Sequence, residues 1–519
     1  MSEDLKEQPS LSAERRALLD LRLKHKRQHA KSRATIARGE RTGVYPLSYE
    51  QERLWSLHML DPASLIHHLN RIMTLEGPLD VKALQDSFDE VVRRHEILRT
   101  TIALRDGLPA QVVAPARAGM LPFTDLSGLP AAEAEARAER MATRQAREPF
   151  DMAEGPLMRT DLVRLTPGKH MLFMTIHHVI TDWWSFNVLY GELSTLYLAF
   201  TDGAPSPLAE LPIQYGDFAR WQRERLRGRE VDEMLSYWKR QLSGAPRLLS
   251  LPTDRPRPAT QTYRGRRYHF NFPSELYRSL DDVGRAEDVT AFVTTLAVFQ
   301  VLLYRYTAQE DILVSTPSAN RSRLETESLI GFLLNTLVLR GDLSGNPTFR
   351  ELLGRLRAVV VGAYANQDLP FQRVVKEVQA ERNLSAMPLV QVNFVFLSAP
   401  TPNLGAALPG PAAPEFAGLN VGWTNIDSVA SEFDLTLALE NRPDCLKGFF
   451  EYNTDLFDET TVSRMAGHLR ALMEGVVANP DGRISELPLV TEEEWGGLME
   501  IARSKMKVAR GKRRGVRRA

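Results

Sequence analysis

The stretch MLFMTIHHVITDWWSFNVLYGELSTLYLAF, Met171–Phe200, decides how this chain is read. Met171–Ile176 is a continuous apolar run of the length expected for a strand buried on both faces. Beyond it Phe186, Leu189, Leu193, Leu196 and Phe200 recur at spacings of three and four, which marks one face of a helix. Two histidines and an aspartate, His177, His178 and Asp182, therefore stand where a buried strand gives way to a helix. Such junctions often carry reactive groups, because a rigid scaffold holds them at an open end. Bland readings compete. Asp182 or Ser185 can cap the helix through its free N–H groups, and the histidines can be satisfied polar residues at a strand end. A metal centre is disfavoured, since adjacent strand residues point to opposite faces and His177 and His178 would not converge on one ion. The pair His67-His68 has no comparable strand–helix context and is assigned no function.

Outward from this stretch, the 519 residues are too many for one core, so two lobes with tails are expected. The composition, 43% hydrophobic and 25% charged, is that of an ordinary globular protein. No apolar run reaches the roughly 18–20 residues of a membrane span, and the charged start, Met1–Gln8, is not a secretory signal. A single cysteine, Cys445, leaves no internal disulfide or thiolate cluster. A cytoplasmic location is expected. The net charge of zero is unevenly spread: Met1–Gly43 holds eleven Lys/Arg against six Asp/Glu, and Arg503–Ala519 holds nine against none. The body between them is correspondingly acidic.

Strand and helix patterns alternate through both halves. Helices are expected at Ser12–Ile36, Ser48–Leu60, Val81–His95, Ala131–Arg147, Ile213–Arg227, Val231–Leu242, Ala291–Tyr306, Phe349–Asn366, Phe371–Gln379 and Asp458–Val476. Strands are expected to end at Thr74–Glu76 and to cover Ile97–Ala103, Asp311–Thr316, Thr336–Arg340, Leu389–Phe396, Leu435–Glu440 and Gly448–Asn453. Order should begin near Val44. The Gly- and Pro-rich segment Ser243–Thr262 is the expected interlobe connection, and Thr401–Gly418 a long loop. The fold class is mixed α/β. The expected division is a basic helical segment at 1–43, a first lobe at 44–222, a second at 223–490 and a basic tail at 491–519.

Several motifs, in order, carry a resemblance. Leu47-Ser48-Tyr49-Glu50-Gln51-Glu52-Arg53-Leu54-Trp55, Arg94-His95-Glu96-Ile97-Leu98-Arg99-Thr100, His177–Ser185, Tyr215-Gly216-Asp217-Phe218-Ala219-Arg220-Trp221-Gln222, Ile330-Gly331-Phe332-Leu333-Leu334-Asn335-Thr336 and Asn366-Gln367-Asp368-Leu369-Pro370-Phe371 resemble the first six motifs of the condensation domains of non-ribosomal peptide synthetases. Arg382-Asn383-Leu384 with Met387-Pro388-Leu389 is a looser match to the seventh. The resemblance runs from about Val44 to Val490. It implies two chloramphenicol-acetyltransferase-like lobes in a V-shaped pseudo-dimer with the active-site tunnel between them. It further implies an acyltransferase in which carrier proteins deliver phosphopantetheine-bound substrates from opposite ends, with no permanently bound cofactor and no metal.

By that resemblance His178 is the general base or orients the nucleophile, His177 orients the loop, and Asp182 is structural, in an ion pair with Arg321 or, second choice, Arg99. Ser185 and Trp184 follow the family pattern. Asn335 either faces the tunnel with Trp184 or is a core hydrogen-bonder. One departure stands out: the glycine expected after Asp182 is Trp183. Three readings stay open: a tolerated variant, a tunnel reshaped for another substrate, or a domain that no longer condenses and serves as a recruitment platform. His177 argues against a heterocyclisation domain, and epimerisation motifs are absent. Ester-forming relatives share the histidines, so an alcohol acceptor stays open beside an amine.

No adenylation motif or carrier-type serine is found, so a free-standing monomer meeting its carriers in trans is expected, with neither membrane nor nucleic acid as a partner. The basic tails lack the interleaved aromatics of a nucleic-acid surface. Carrier proteins are typically acidic, and a basic tail suits their long-range capture. Deleting Arg503–Ala519 should slow turnover with a separate donor carrier at low salt, with the difference shrinking as salt rises; unchanged rates at low salt would rule the tail out.

Overall fold

The computed structural model describes residues 35–378, 385–397, 416, 418–424, 430–490 and 494–495. The helix at Ser12–Ile36, the loop at Thr401–Gly418, Arg382-Asn383-Leu384 and the tail Arg503–Ala519 lie largely or wholly outside the described residues. The first half runs β1 (Val44–Pro46), α1 (Tyr49–Leu60), β2 (His68–Glu76), α2 (Val81–Arg94), β3 (Thr100–Arg105), β4 (Leu108–Val113), β5 (Phe123–Asp125), α3 (Ala131–Arg147), β6 (Met158–Thr166), β7 (Lys169–His177), α4 (Trp183–Thr201) and α5 (Tyr215–Arg225). The second runs α6 (Arg229–Leu242), β8 (Gly265–Pro273), α7 (Ser274–Ala286), α8 (Ala291–Thr307), β9 (Asp311–Ser318), α9 (Leu324–Glu327), β10 (Asn335–Asp342), α10 (Phe349–Ala365), α11 (Phe371–Val378), β11 (Val392–Leu397), β12 (Asn420–Thr424), β13 (Leu435–Asn441), β14 (Cys445–Asn453) and α12 (Glu459–Ala478).

β7 forms because both its faces are covered. It lies between β2 and β6, antiparallel to each, in a five-stranded sheet of order β12-β2-β7-β6-β5. Leu172, Met174 and Ile176 bury with the α4 residues Leu189, Leu193 and Leu196, while Phe173 buries with Ala134, Ala138 and Ala142 of α3. Alternation along β2 follows the same rule: Met73 and Leu75 join the α4 side, Ile72 the α3 side. The alanine stripe of α3 lets that helix approach the sheet closely.

The second half builds a six-stranded sheet, β10-β9-β11-β13-β14-β8, with parallel pairing only around β11. Its core gathers Val298, Phe299 and Leu302 of α8 with Leu352 and Leu356 of α10 and Leu469 and Leu472 of α12. Among the described residues no single helix is long and apolar enough to cross a membrane.

Four structural features bear on the expected boundaries. Residue 222 lies inside α5, and core membership changes only between Ala219, in the first core, and Leu226, in the second. Order begins before Val44: Ile36 is buried in the first core, and Gly39 N and Arg41 Nη1 each donate to Asp217 at 2.9 Å. The chain position of a residue also does not settle its lobe. Leu329, Ile330, Phe332 and Leu333 pack in the first core, and β12 adds to the edge of the first sheet with Trp423 opposite Met73. The expected strand at Ile97–Ala103 starts instead with a 3₁₀ turn, Glu96–Arg99, before β3.

Candidate active site

β7 ends at His177, His178–Ile180 make a single 3₁₀ turn, and Asp182 caps α4 by accepting from Ser185 N at 2.8 Å. Nδ1 of His177 accepts from Val179 N at 3.0 Å, so its proton sits on Nε2. Burial, followed by repulsion from neighbouring histidines, holds its pKa well below the usual histidine value. The ring turns away from α4 into a cluster with His58, His67, His68 and Phe150, at centroid separations of 5.7–6.3 Å. His68 is the first residue of β2 and lies opposite His177 in register, so the His67-His68 pair does have a strand context. No group of three His, Cys, Asp or Glu side chains is arranged to hold a metal among the described residues.

His178 is placed differently. Its backbone N donates to the His67 carbonyl at 2.8 Å, and its Nδ1 lies 2.7 Å from the Thr181 carbonyl oxygen. A carbonyl only accepts, so Nδ1 carries the proton and Nε2 keeps a bare lone pair. The half-buried ring packs against Phe332 at 4.6 Å. Burial lowers its pKa, against the opposing pull of the Thr181 carbonyl and the Asp182 charge. The shift favours the neutral ring at pH 7.

The loop between these histidines and α4 is fixed by a buried carboxylate. Arg321 Nη2 lies 3.0 and 3.2 Å from the two Asp182 oxygens, Leu333 N donates to Oδ2 at 3.1 Å, and Ser185 Oγ is 2.7 Å from Oδ1. Ser185 Oγ in turn accepts from Gly331 N at 3.0 Å and Arg321 Nη2 at 3.1 Å. Arg321 Nη1 donates to the Thr326 and Leu329 carbonyls at 2.5 and 2.6 Å. The side chains of Arg321 and Asp182 are only 1% and 2% exposed, so neither charge has water as an alternative partner. Helix capping by Asp182 contributes about 1 kcal/mol; unpairing a buried ion pair costs about 3–5 kcal/mol. The anchoring role therefore dominates.

The other motifs close on the same loop. Gln51 Nε2 donates to the Val179 carbonyl at 3.1 Å. Tyr215 Oη donates to the Phe332 carbonyl at 2.6 Å and lies 2.9 Å from Ser48 Oγ. A Cβ at Gly331 would sit 2.1 Å from the Tyr215 ring, which is why that position needs glycine. Arg94 and His95 both reach Glu192 of α4 at 3.0 Å.

Arg99 is not brought to Asp182; it is held by the Ala114 carbonyl and lies 3.9 Å from Glu96, because the 3₁₀ turn before β3 directs it there. Asn335 has no hydrogen-bonding capacity left for a tunnel: Nδ2 donates to the Gln367 and Leu369 carbonyls, and Oδ1 accepts from Thr336 N and Phe371 N. It ties β10 to α11. Trp184 donates from Nε1 to the Glu327 carbonyl at 2.8 Å, its ring lying 5.6 Å from the Arg321 guanidinium carbon. Trp183 is the first residue of α4 and is not among the residues of positive φ, so the backbone there does not require glycine. Its ring lies 4.1 Å from the guanidinium carbon of Arg71. Sequence reasoning overlooked Arg71, which carries no motif signal beyond being a charge within an otherwise half-apolar strand.

The condensation-domain model matches residues 41–498. This chain belongs to the condensation-domain family. It is 44% identical over 474 residues to a linear gramicidin synthase of Brevibacillus parabrevis, an alignment that spans 91% of this chain and 9% of that protein. The X-domain from teicoplanin biosynthesis, solved in complex with OxyB, superposes with a TM-score of 0.77 at 27% identity, covering 89% of this condensation domain and 99% of that one. The first condensation domain of the calcium-dependent antibiotic synthetase, solved with a substrate analogue, shares the fold with a TM-score of 0.71 at 18% identity, covering 86% and 100%. The fold is thus the two-lobed chloramphenicol-acetyltransferase-like one.

Replacing Arg321 with Ala should destabilise this condensation domain by about 3–5 kcal/mol, because Asp182 is left charged and buried. Denaturant unfolding of the variant measures it; a loss under about 1 kcal/mol would mean that the pair does not anchor the loop.

Proposed function

We propose that this condensation domain joins a carrier-bound acyl or aminoacyl thioester to an amine, forming an amide in non-ribosomal peptide biosynthesis. The observation that carries the reading is the bare Nε2 of His178, neutral and half-exposed where the HHxxxD loop meets Phe332. The amine nitrogen attacks the thioester carbonyl, the C–S bond breaks, and the phosphopantetheine sulfur leaves as a thiolate, which then takes up the proton that His178 has accepted from the amine. His178 Nε2 takes the proton that the amine gives up, at a nitrogen whose lowered pKa keeps it unprotonated at working pH. Holding two thioester-borne substrates in one tunnel supplies several kcal/mol more through approximation. His177, with its Nδ1 committed to Val179, keeps the turn in shape, and Asp182, Ser185 and Arg321 hold the turn against α4. Carrier proteins bring the substrates, and the reaction belongs in the cytoplasm.

The likeness to the X-domain solved with OxyB favours a second reading, a platform that recruits another protein. The regular helical backbone at Trp183 argues for retained condensation in the first instance, since the change adds a ring without distorting the loop.

A loaded donor carrier mixed with amine and alcohol acceptors, read by intact-carrier mass spectrometry, tests both. An amide is expected, reduced about 10²–10⁴-fold in His178→Ala. An ester would transfer the chemistry to an alcohol, and a silent wild type with turnover appearing in Trp183→Gly would favour the platform. The sign of the pH dependence follows from the lowered pKa of His178. Its neutral form is the active one, so the rate should hold through pH 7 and fall only as pH drops below the ordinary histidine value of 6.5. A rate halving above pH 7 would contradict the assignment.

A further inference from the structure

Arg71 stands on β2, on the face turned toward α4. Its guanidinium carbon lies 4.1 Å from the Trp183 ring centroid and 4.8 Å from that of Phe186. Nη1 donates to the Asn70 carbonyl at 2.6 Å, but Nη2 is buried without an acceptor. Among the described residues no carboxylate pairs with Arg71. Burial pushes its pKa down to about 10, so it stays cationic at pH 7. The aromatic patch continues from there. Phe186 stacks on Tyr190 at 5.8 Å, and Tyr190 meets Trp423 of β12 edge-on at 5.0 Å. Tyr190 Oη and Trp423 Nε1 are likewise buried without a partner. Arg267, the other cation that acts on Arg71, is itself paired with Glu451 at 2.8 Å.

One contiguous patch thus holds three buried polar atoms without partners and one positive charge without a counter-ion. Buried polar groups are normally satisfied, and a persistent exception calls for a missing partner. Every orphan here can donate, so the missing group must accept hydrogen bonds and carry negative charge. The location gives it a use. Arg71 is opposite Met174 in β7, three residues before His177, which places the patch about 10 Å along the strand from the catalytic turn. The reach of an acidic substrate side chain and that of the Arg71 side chain together are of that order.

We propose that Arg71, Trp183, Tyr190 and Trp423 form a carboxylate subsite that selects a substrate with an acidic group near its reacting carbonyl or amine. The proposal rests on reading the neighbouring loop as a condensation centre. In it Trp183 acts as the plate that fixes Arg71 by a cation–π contact and excludes water from the ion pair. A glycine in its place would leave the guanidinium without that wall. The acid could ride on the donor or on the acceptor, and the two are separable.

The test is calorimetric binding to the full chain. Pantetheine amides of N-acetylglutamate and N-acetylglutamine stand for the donor, and those of glutamate and glutamine with a free amine stand for the acceptor. In one of the two pairs the acid should bind at least about tenfold more tightly than its amide. That preference should collapse to within twofold in Arg71→Gln and weaken severalfold in Tyr190→Phe, which removes only a hydroxyl. No acid preference in either pair, or a preference untouched in both variants, would overturn the subsite. Binding is read without turnover, and His178→Ala should keep the preference. Acid selection without condensation would therefore defeat the catalytic reading alone, and condensation without acid selection would defeat the subsite alone.

Discussion

The structure around His178 depends on one buried ion pair. Asp182 caps α4 after the histidine turn, and Arg321 comes from the second half of the chain, 139 residues away. With both charges out of water, each fixes the other's position. Arg321 is held by two further carbonyls and Asp182 by two backbone N–H groups. The pair therefore fixes more than itself. It sets the start of α4, the turn that carries His177 and His178, and the segment Gly331–Leu333 that places Phe332 against His178.

That segment explains why the motifs are spread along the chain. Ser48 and Gln51, Arg94 and His95, Tyr215, and Ile330–Leu333 are far apart in sequence but meet around one loop through hydrogen bonds of 2.6–3.4 Å. Most of them touch the loop's supports and leave the His178 ring alone. For the proposed reaction, in which two large substrates are held in line, rigidity matters more than additional acids and bases.

Much of the architecture was legible in the sequence because burial leaves strong periodic marks. The continuous apolar run of β7 and the three–four spacing of α4 are direct consequences of lying between α3 and α2. β12 was not legible: five residues with exposed Gly422 at the centre give almost no pattern, and only its edge pairing with β2 makes it a strand. β8 was missed because its residues alternate irregularly between exposure and partial burial. In the site, residue types pointed to His178 and Asp182, whereas choosing between Arg321 and Arg99 required knowing which strand end returns to α4. His68 and Arg71 carry no spacing signal, since their neighbours are set by β-sheet register across about a hundred residues.

Trp183 illustrates how a departure from a family pattern should be weighed. The backbone accepts it, the ring faces Arg71, and the ion-paired loop beside it is complete. The question of activity therefore turns on the state of His178 itself. Nitrogen-15 NMR of histidine-labelled protein addresses it most directly. The proton should be on Nδ1 at pH 7, with Nε2 unprotonated and titrating below 6.5. A proton resident on Nε2, or a ring still charged at pH 7.5, would contradict the account.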